Sequence, residues 1–145
     1  MGFFDNLFGK ERERPSGVKS AQPSVASLKT GFKFSPLRMT ALKDGAVTLV
    51  AKVTNNADQA QLVSMDVELP QSVMIGFDST CLKKSLEKKV GEVKSGETKE
   101  FAVTIYGSNQ TKSCTCRVGV ETYAHYRDYD KVIDKKREIL RLRIS

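Results

Sequence analysis

Apolar and polar residues alternate through most of this chain, most clearly from Ala46 to Pro70. Val47, Leu49, Ala51 and Val53 stand at every second position. After the polar corner Thr54-Asn55-Asn56-Ala57-Asp58, the same spacing resumes at Val63, Met65, Val67 and Leu69. A period of two sends successive side chains to opposite faces, so each run predicts a strand with one buried face. Pro70 has no N–H for a ladder and marks the end of the second strand. The alternation returns at Phe101, Val103 and Ile105, and again at Cys114, Cys116, Val118 and Val120 in a strand reaching about Tyr126. It returns last at Leu140, Leu142 and Ile144, where Arg141 and Arg143 give the strand a basic outer face.

Weaker signals fill the intervals. Phe32, Phe34, Leu37, Met39 and Ala41 predict a first strand that changes register at Ser35-Pro36, as an edge strand or bulge does. Lys43-Asp44-Gly45 and Lys94-Ser95-Gly96-Glu97 read as turns, and Gly107 to Lys112 as a loop. Ser72 to Phe77 predicts a short strand, Thr80 to Lys89 irregular chain leading into a strand that ends near Val93, and Arg127 to Lys136 a charged hairpin region. Seven or eight strands with almost no helix define an all-β chain, an immunoglobulin-like antiparallel β-sandwich.

The first ten residues break this pattern. Phe3, Phe4, Leu7 and Phe8 fall on one side at helical spacing, so residues 1–10 read as a short amphipathic helix or a disordered segment. Residues 11–27 hold Glu-Arg-Glu-Arg, two prolines and small residues with no apolar period, the composition of a flexible linker; the sandwich domain then occupies 28–145. So much aromatic surface ahead of a linker needs burial in a membrane interface, a partner's groove or the domain itself. Lys10, Arg12 and Arg14 follow directly and favour anionic headgroups. Asn6 stands where a myristoylation motif needs Ser or Thr, so no acyl group is expected on Gly2.

A net charge of +7 and a pI near 9.4 direct attention to acidic partners: anionic lipid, nucleic acid or an acidic protein. No window approaches the roughly 18 uninterrupted apolar residues of a spanning helix. With no export leader and an odd three cysteines, the expectation is a cytoplasmic protein, peripheral on the inner membrane face, with reduced thiols. Asn109-Gln110-Thr111 is then no glycosylation site.

Chemistry-bearing motifs are few. Gly91 to Thr98 has the spacing of a phosphate-binding loop, but Glu97 occupies the lysine position and would repel phosphate, so it reads as a hairpin turn. Cys81, Cys114, Cys116 and His125 have the chemistry of a zinc set, yet Cys-x-Cys on a strand more simply buries two small side chains. Asp128, Asp130 and Asp134 lack the glycine turn and terminal Glu of a calcium loop. No metal and no cofactor is expected, and no Ser or Cys nucleophile motif accompanies His125, so the chain reads as non-enzymatic. Tyr123, Tyr126 and Tyr129 interleave with Arg127, Lys131, Lys135, Lys136 and Arg137, a mixture able to stack bases and track phosphates or to dock a protein.

The run Ala46-Val-Thr-Leu-Val-Ala-Lys-Val-Thr-Asn-Asn, the terminus Val67-Glu-Leu-Pro, and Gly91-Glu-Val-Lys-Ser-Gly-Glu-Thr-Lys-Glu-Phe together resemble the CARDB and NEW3 group of immunoglobulin-like sandwich modules of prokaryotic proteins. The resemblance covers about Phe32 to Ile144 and implies the fold and a binding, spacing or supporting role. It carries over no functional residue. The expected function is a non-enzymatic interaction module, tethered reversibly to the cytoplasmic membrane face through Phe3, Phe4, Leu7, Phe8, Lys10, Arg12 and Arg14. The alternative is a nucleic-acid-binding β-domain using the basic C-terminal hairpin surface.

Overall fold

A computed structural model describes residues 25–145 of the chain; the front segment, with all seven of its expected contact residues, lies outside the described residues. Nine strands follow a 3-10 turn, η1 (Val25–Ser27): β1 (Leu28–Ser35), β2 (Arg38–Met39), β3 (Gly45–Asn55), β4 (Gln61–Glu68), β5 (Ile75–Gly76), β6 (Ser85–Val93), β7 (Thr98–Gly107), β8 (Cys114–His125) and β9 (Val132–Ile144). They form an immunoglobulin-like β-sandwich of a four-stranded sheet, β1-β3-β7-β5, and a five-stranded sheet, β2-β9-β8-β4-β6. Seven of the strands are long; β2 and β5 are two-residue pieces, and β2 runs parallel to β9 while every other pairing is antiparallel.

The period of two builds the core directly. Val47, Leu49, Ala51 and Val53 of β3, with Val103 and Ile105 of β7, face Val63, Met65 and Val67 of β4, Val118 and Val120 of β8, and Leu142 and Ile144 of β9, all buried. Full burial of such a side chain contributes about 1.5–3 kcal/mol, so these two rows supply most of the force holding the layers together.

Three boundaries depart from the alternation. The expected first strand is two strands in different sheets: pairing of β1 with β3 ends at Ser35, and after the cis Ser35-Pro36 bond the chain crosses to place β2 beside β9. Proline has no N–H to extend the ladder, which is why the chain leaves the sheet there instead of bulging within it. Val25, assigned above to the linker, is buried in the core, and its N–H donates to Asp134 Oδ2 at 3.1 Å. β9 starts at Val132, so the charged stretch from Val132 onward is ladder paired with β8, leaving only residues 126–131 as the turn.

One polar residue closes the lower end of the sandwich. Asn55, fully buried, ends β3 just before the chain crosses to β4. Its Nδ2 donates to the carbonyls of Gln59 (2.8 Å) and Val93 (2.9 Å), while its Oδ1 accepts from Ala57 N–H (2.8 Å) and Gln61 Nε2 (3.2 Å). Its backbone N–H donates to Glu97 O and its carbonyl accepts from Gly96 N–H. Every hydrogen-bonding site of the side chain is used, so burial costs nothing in unmet polar groups. Asn55→Ala should therefore cost about 3 kcal/mol in a denaturant titration, from several lost bonds near 1 kcal/mol each and newly unpaired buried groups. Asn56→Ala, at the exposed neighbour, should stay within about 0.5 kcal/mol.

Candidate functional site

The outer face of the five-stranded sheet collects charge by cross-strand register. Arg117 of β8 stands opposite Arg141 of β9, Thr115 opposite Arg143, and Arg143 is paired on its other side with Arg38 of β2. Neighbouring strands lie about 4.8 Å apart and alternate residues about 6.7 Å along a strand, so the four arginines spring from a backbone area of about 10 by 7 Å. Among the described residues none of the four has a carboxylate within ion-pair distance; Arg38 Nη1 is 3.4 Å from Ser145 Oγ. Guanidinium forks on such a patch suit planar oxyanions such as phosphate and carboxylate.

One turn of register away the same face is acidic. Arg137, Glu121, Asp66 and Glu87 lie in a single row across β9, β8, β4 and β6. Arg137 lies in the space that Gly119 leaves by having no side chain, since a Cβ there would stand 2.9 Å from Nη2, and it reaches Glu121 at 3.7 Å. Partial burial, then the neighbouring Glu87 carboxylate, push Asp66 above the usual carboxylate range. The row sets one guanidinium against three carboxylates and is net acidic, whereas the arginine patch is net basic.

The hairpin residues do not form one strip. Tyr123 Oη donates to Glu121 Oε1 at 2.8 Å, and burial followed by that carboxylate raises its phenol. Tyr129 sits edge-on to His125, with ring centroids 5.2 Å apart, beneath Lys89 Nζ; the Arg127 guanidinium lies 5.0 Å over the Tyr126 ring. Lys136 is turned away from the outer face, donating to Leu28 O and lying 4.0 Å from Glu138, while Arg137 belongs to the acidic row. Lys131 and Lys135 are exposed. Sequence reasoning saw Arg141 and Arg143 but missed Arg117 and Arg38. The outward parity of Arg117 between Cys116 and Val118 is a usable signal, but the parallel pairing of β2 with β9 leaves none.

His125 Nε2 lies 2.7 Å from Ser64 Oγ, the one Ser–His pair among the described residues. Ser64 is 2% and His125 4% exposed, and His125 Nδ1 has no partner, so no carboxylate orients the ring. The pair is a buried hydrogen bond with neither a reachable hydroxyl nor a third member. Cys114 and Cys116 lie at the other end of β8, about 30 Å from His125 at strand rise, so these groups do not converge. Burial pushes the Cys116 thiol up to about 11 and raises Cys81, keeping both protonated. Among the described residues no cluster of three or more His, Cys, Asp or Glu is arranged to hold a metal ion.

No protein-family model matches the chain, and no curated protein does. Solved structures do. A chain of the complex between zinc 2-glycoprotein and prolactin inducible protein from human seminal plasma is 11% identical, with a TM-score of 0.52, covering 88% of this chain and 100% of that one. The β-glucuronidase of Bacteroides uniformis is 17% identical over 80% of this chain, with a TM-score of 0.46; the match spans only 13% of the enzyme. The DNA glycosylase AlkC of Pseudomonas fluorescens, bound to DNA containing an abasic-site analogue, is 11% identical over 81% of this chain and 30% of its own, with a TM-score of 0.47. The first of these likenesses supports the sandwich fold alone.

Burial also lowers the pKa of His125 below the ordinary histidine value, outweighing nearby Glu87, Asp128 and Asp66. The folded state therefore binds that proton less readily than the unfolded chain, and stability falls as pH drops through the unfolded value toward the folded one. Urea titrations between about pH 7.5 and about pH 5.5 should show this loss, and His125→Gln, which cannot titrate, should flatten the slope. The raised Asp66 acts with opposite sign, its contribution being lost as pH rises.

Proposed function

We propose that this chain is a non-enzymatic interaction module held reversibly at an anionic membrane surface on the cytoplasmic side. The observation that carries the reading is the arginine quartet of Arg38, Arg117, Arg141 and Arg143, concentrated on one sheet face without acidic partners among the described residues. Two guanidiniums about 5 Å apart repel by about 0.8 kcal/mol in water, and an anionic surface relieves that repulsion. Each basic side chain near such a leaflet gains about 1 kcal/mol, so four together give a millimolar-class attraction, too weak to hold the protein alone. The apolar front segment, Phe3, Phe4, Leu7 and Phe8 with Lys10, Arg12 and Arg14, supplies the second signal. Enclosure of the Ser64–His125 pair supports the non-enzymatic part.

The same unpaired guanidiniums favour a second reading, in which the quartet neutralises nucleic-acid phosphates. Tyrosines lie at the far end of the sheet from the quartet, which leaves that surface without a stacking platform.

Vesicle co-sedimentation separates the readings. The intact chain should bind phosphatidylserine-containing vesicles, lose binding as salt rises, and ignore purely zwitterionic vesicles. Arg117→Glu with Arg141→Glu, and separately Phe3→Ser with Phe4→Ser, should each lower binding about tenfold or more. Equal binding to charged and neutral vesicles, or salt-sensitive binding to an oligonucleotide alone, would remove the membrane assignment.

A further inference from the structure

We infer that the loop end of the sandwich, opposite Asn55, is the face that enters the interface of an anionic bilayer. This inference rests on the membrane reading above and names its contact surface. The β1–β2, β2–β3, β4–β5, β5–β6 and β7–β8 connections all gather at this end, because β1, β4, β7 and β9 run toward it and β3, β6 and β8 away from it. On these loops Leu37 is 81% exposed, Leu82 76%, Leu42 65% and Met74 42%. Leu42, Met74 and Leu82 line one open cleft of about 990 Å³.

The loops that carry Leu42, Met74 and Leu82 are cross-linked by hydrogen bonds. Leu42 N–H donates to Thr111 O at 2.8 Å, and Thr111 Oγ1 donates to Met74 O at 2.6 Å. Lys84 Nζ donates to the carbonyls of Val73 (2.6 Å) and Ile75 (2.5 Å). The Asp78 carboxylate accepts from the N–H groups of Leu82 and Lys83 and from the Thr80 hydroxyl. The leucine tips are therefore presented by cross-linked loops, with little left to order on contact. Apolar tips projecting from a hydrogen-bonded rim match a hydrocarbon boundary, where no backbone group can go unpaired.

Charge selects this end and this partner. Lys43, Lys83 and Lys112 are exposed around the leucines, and the Arg38–Arg143 corner of the quartet adjoins them. Against these lysines and Lys84 the loops of this end set two carboxylates, Asp44 and Asp78, so the loop end is net basic. The opposite end also exposes Tyr126, Val132 and Ile133, but its loops set Asp58, Glu97, Asp128 and Asp130 against Lys94, Arg127 and Lys131, a net acidic balance that an anionic leaflet does not attract. A nucleic-acid backbone would match the basic ring but offers nothing to bury exposed leucine.

The chain contains no tryptophan, so Leu82→Trp in the full-length protein is a single optical reporter. Its emission should shift to the blue on adding phosphatidylcholine–phosphatidylserine vesicles and be quenched by brominated acyl chains, whereas Val132→Trp should do neither. Leu37→Ser, Leu42→Ser and Leu82→Ser combined should weaken vesicle binding at least about tenfold while leaving the melting transition in place. Unshifted Leu82→Trp emission in a chain that still sediments with vesicles overturns the loop-end contact and leaves the membrane reading standing. A chain that binds no vesicle overturns both.

Discussion

The buried carboxamide of Asn55 is the constraint from which much of this molecule follows. A sandwich must pass its chain from one layer to the other, and each passage strands backbone groups that no ladder can satisfy. At the β3–β4 crossing one side chain serves Gln59 O, Val93 O, Ala57 N–H and Gln61 Nε2 together. It ties the end of β3 to the end of β6 across the gap, and with its backbone bonds to Glu97 and Gly96 it seats the β6–β7 turn as well. With the crossing pinned, the rows Val47–Val53 and Val63–Val67 can face each other only in one register. A slip of one residue would turn each row outward, so a polar pin and an apolar pattern specify the same answer.

Register then decides the fate of charges. A sheet gains from opposite charges placed across from one another and loses roughly 0.2–1 kcal/mol for like charges there. Arg137 and Glu121 follow the favourable rule. Arg117 against Arg141, and Arg143 against Arg38, break it, and among the described residues no carboxylate stands within ion-pair distance to soften the cost. Stability alone gives no reason to assemble this quartet. Local conflicts of this kind are expected at surfaces that meet something else.

The strands themselves were legible because their signal is local. Val47 to Val53, Val63 to Leu69, Phe101 to Ile105 and Cys116 to Val120 each announce a buried face by spacing alone, and Pro70 announces an end. What was not legible depends on partners far along the chain. Arg38 adjoins Arg143 only because the chain crosses layers after Ser35, and no window around Arg38 contains that fact. Lys136 and Arg137 look alike in sequence as members of one basic hairpin, yet strand parity sends Lys136 to Leu28 and Glu138 and leaves Arg137 on the outer face with Glu121. Val25 joined the core for the same kind of reason: its capture by Asp134 spans most of the domain. Exposed Leu42, Met74 and Leu82 carry no periodicity at all, and only the convergence of four loops brings them together.

The two ends of the sandwich divide their tasks, and the division bears on how a front segment could act with the loop end. The described chain begins at Val25, held by Asp134 at the Asn55 end, whereas the exposed leucines lie at the other. The longest strand, β9, has 13 residues and so spans about 43 Å at about 3.3 Å per residue. Residues 9–24, between Phe8 and the described fold, can reach about 55 Å at full extension. A segment of that length clears the whole sandwich with little to spare, so Phe3 to Phe8 and Leu82 can meet one flat surface at the same time. On the membrane reading proposed here, two weak signals, one carried by the fold and one by the front segment, would give reversible attachment where neither alone would hold the protein.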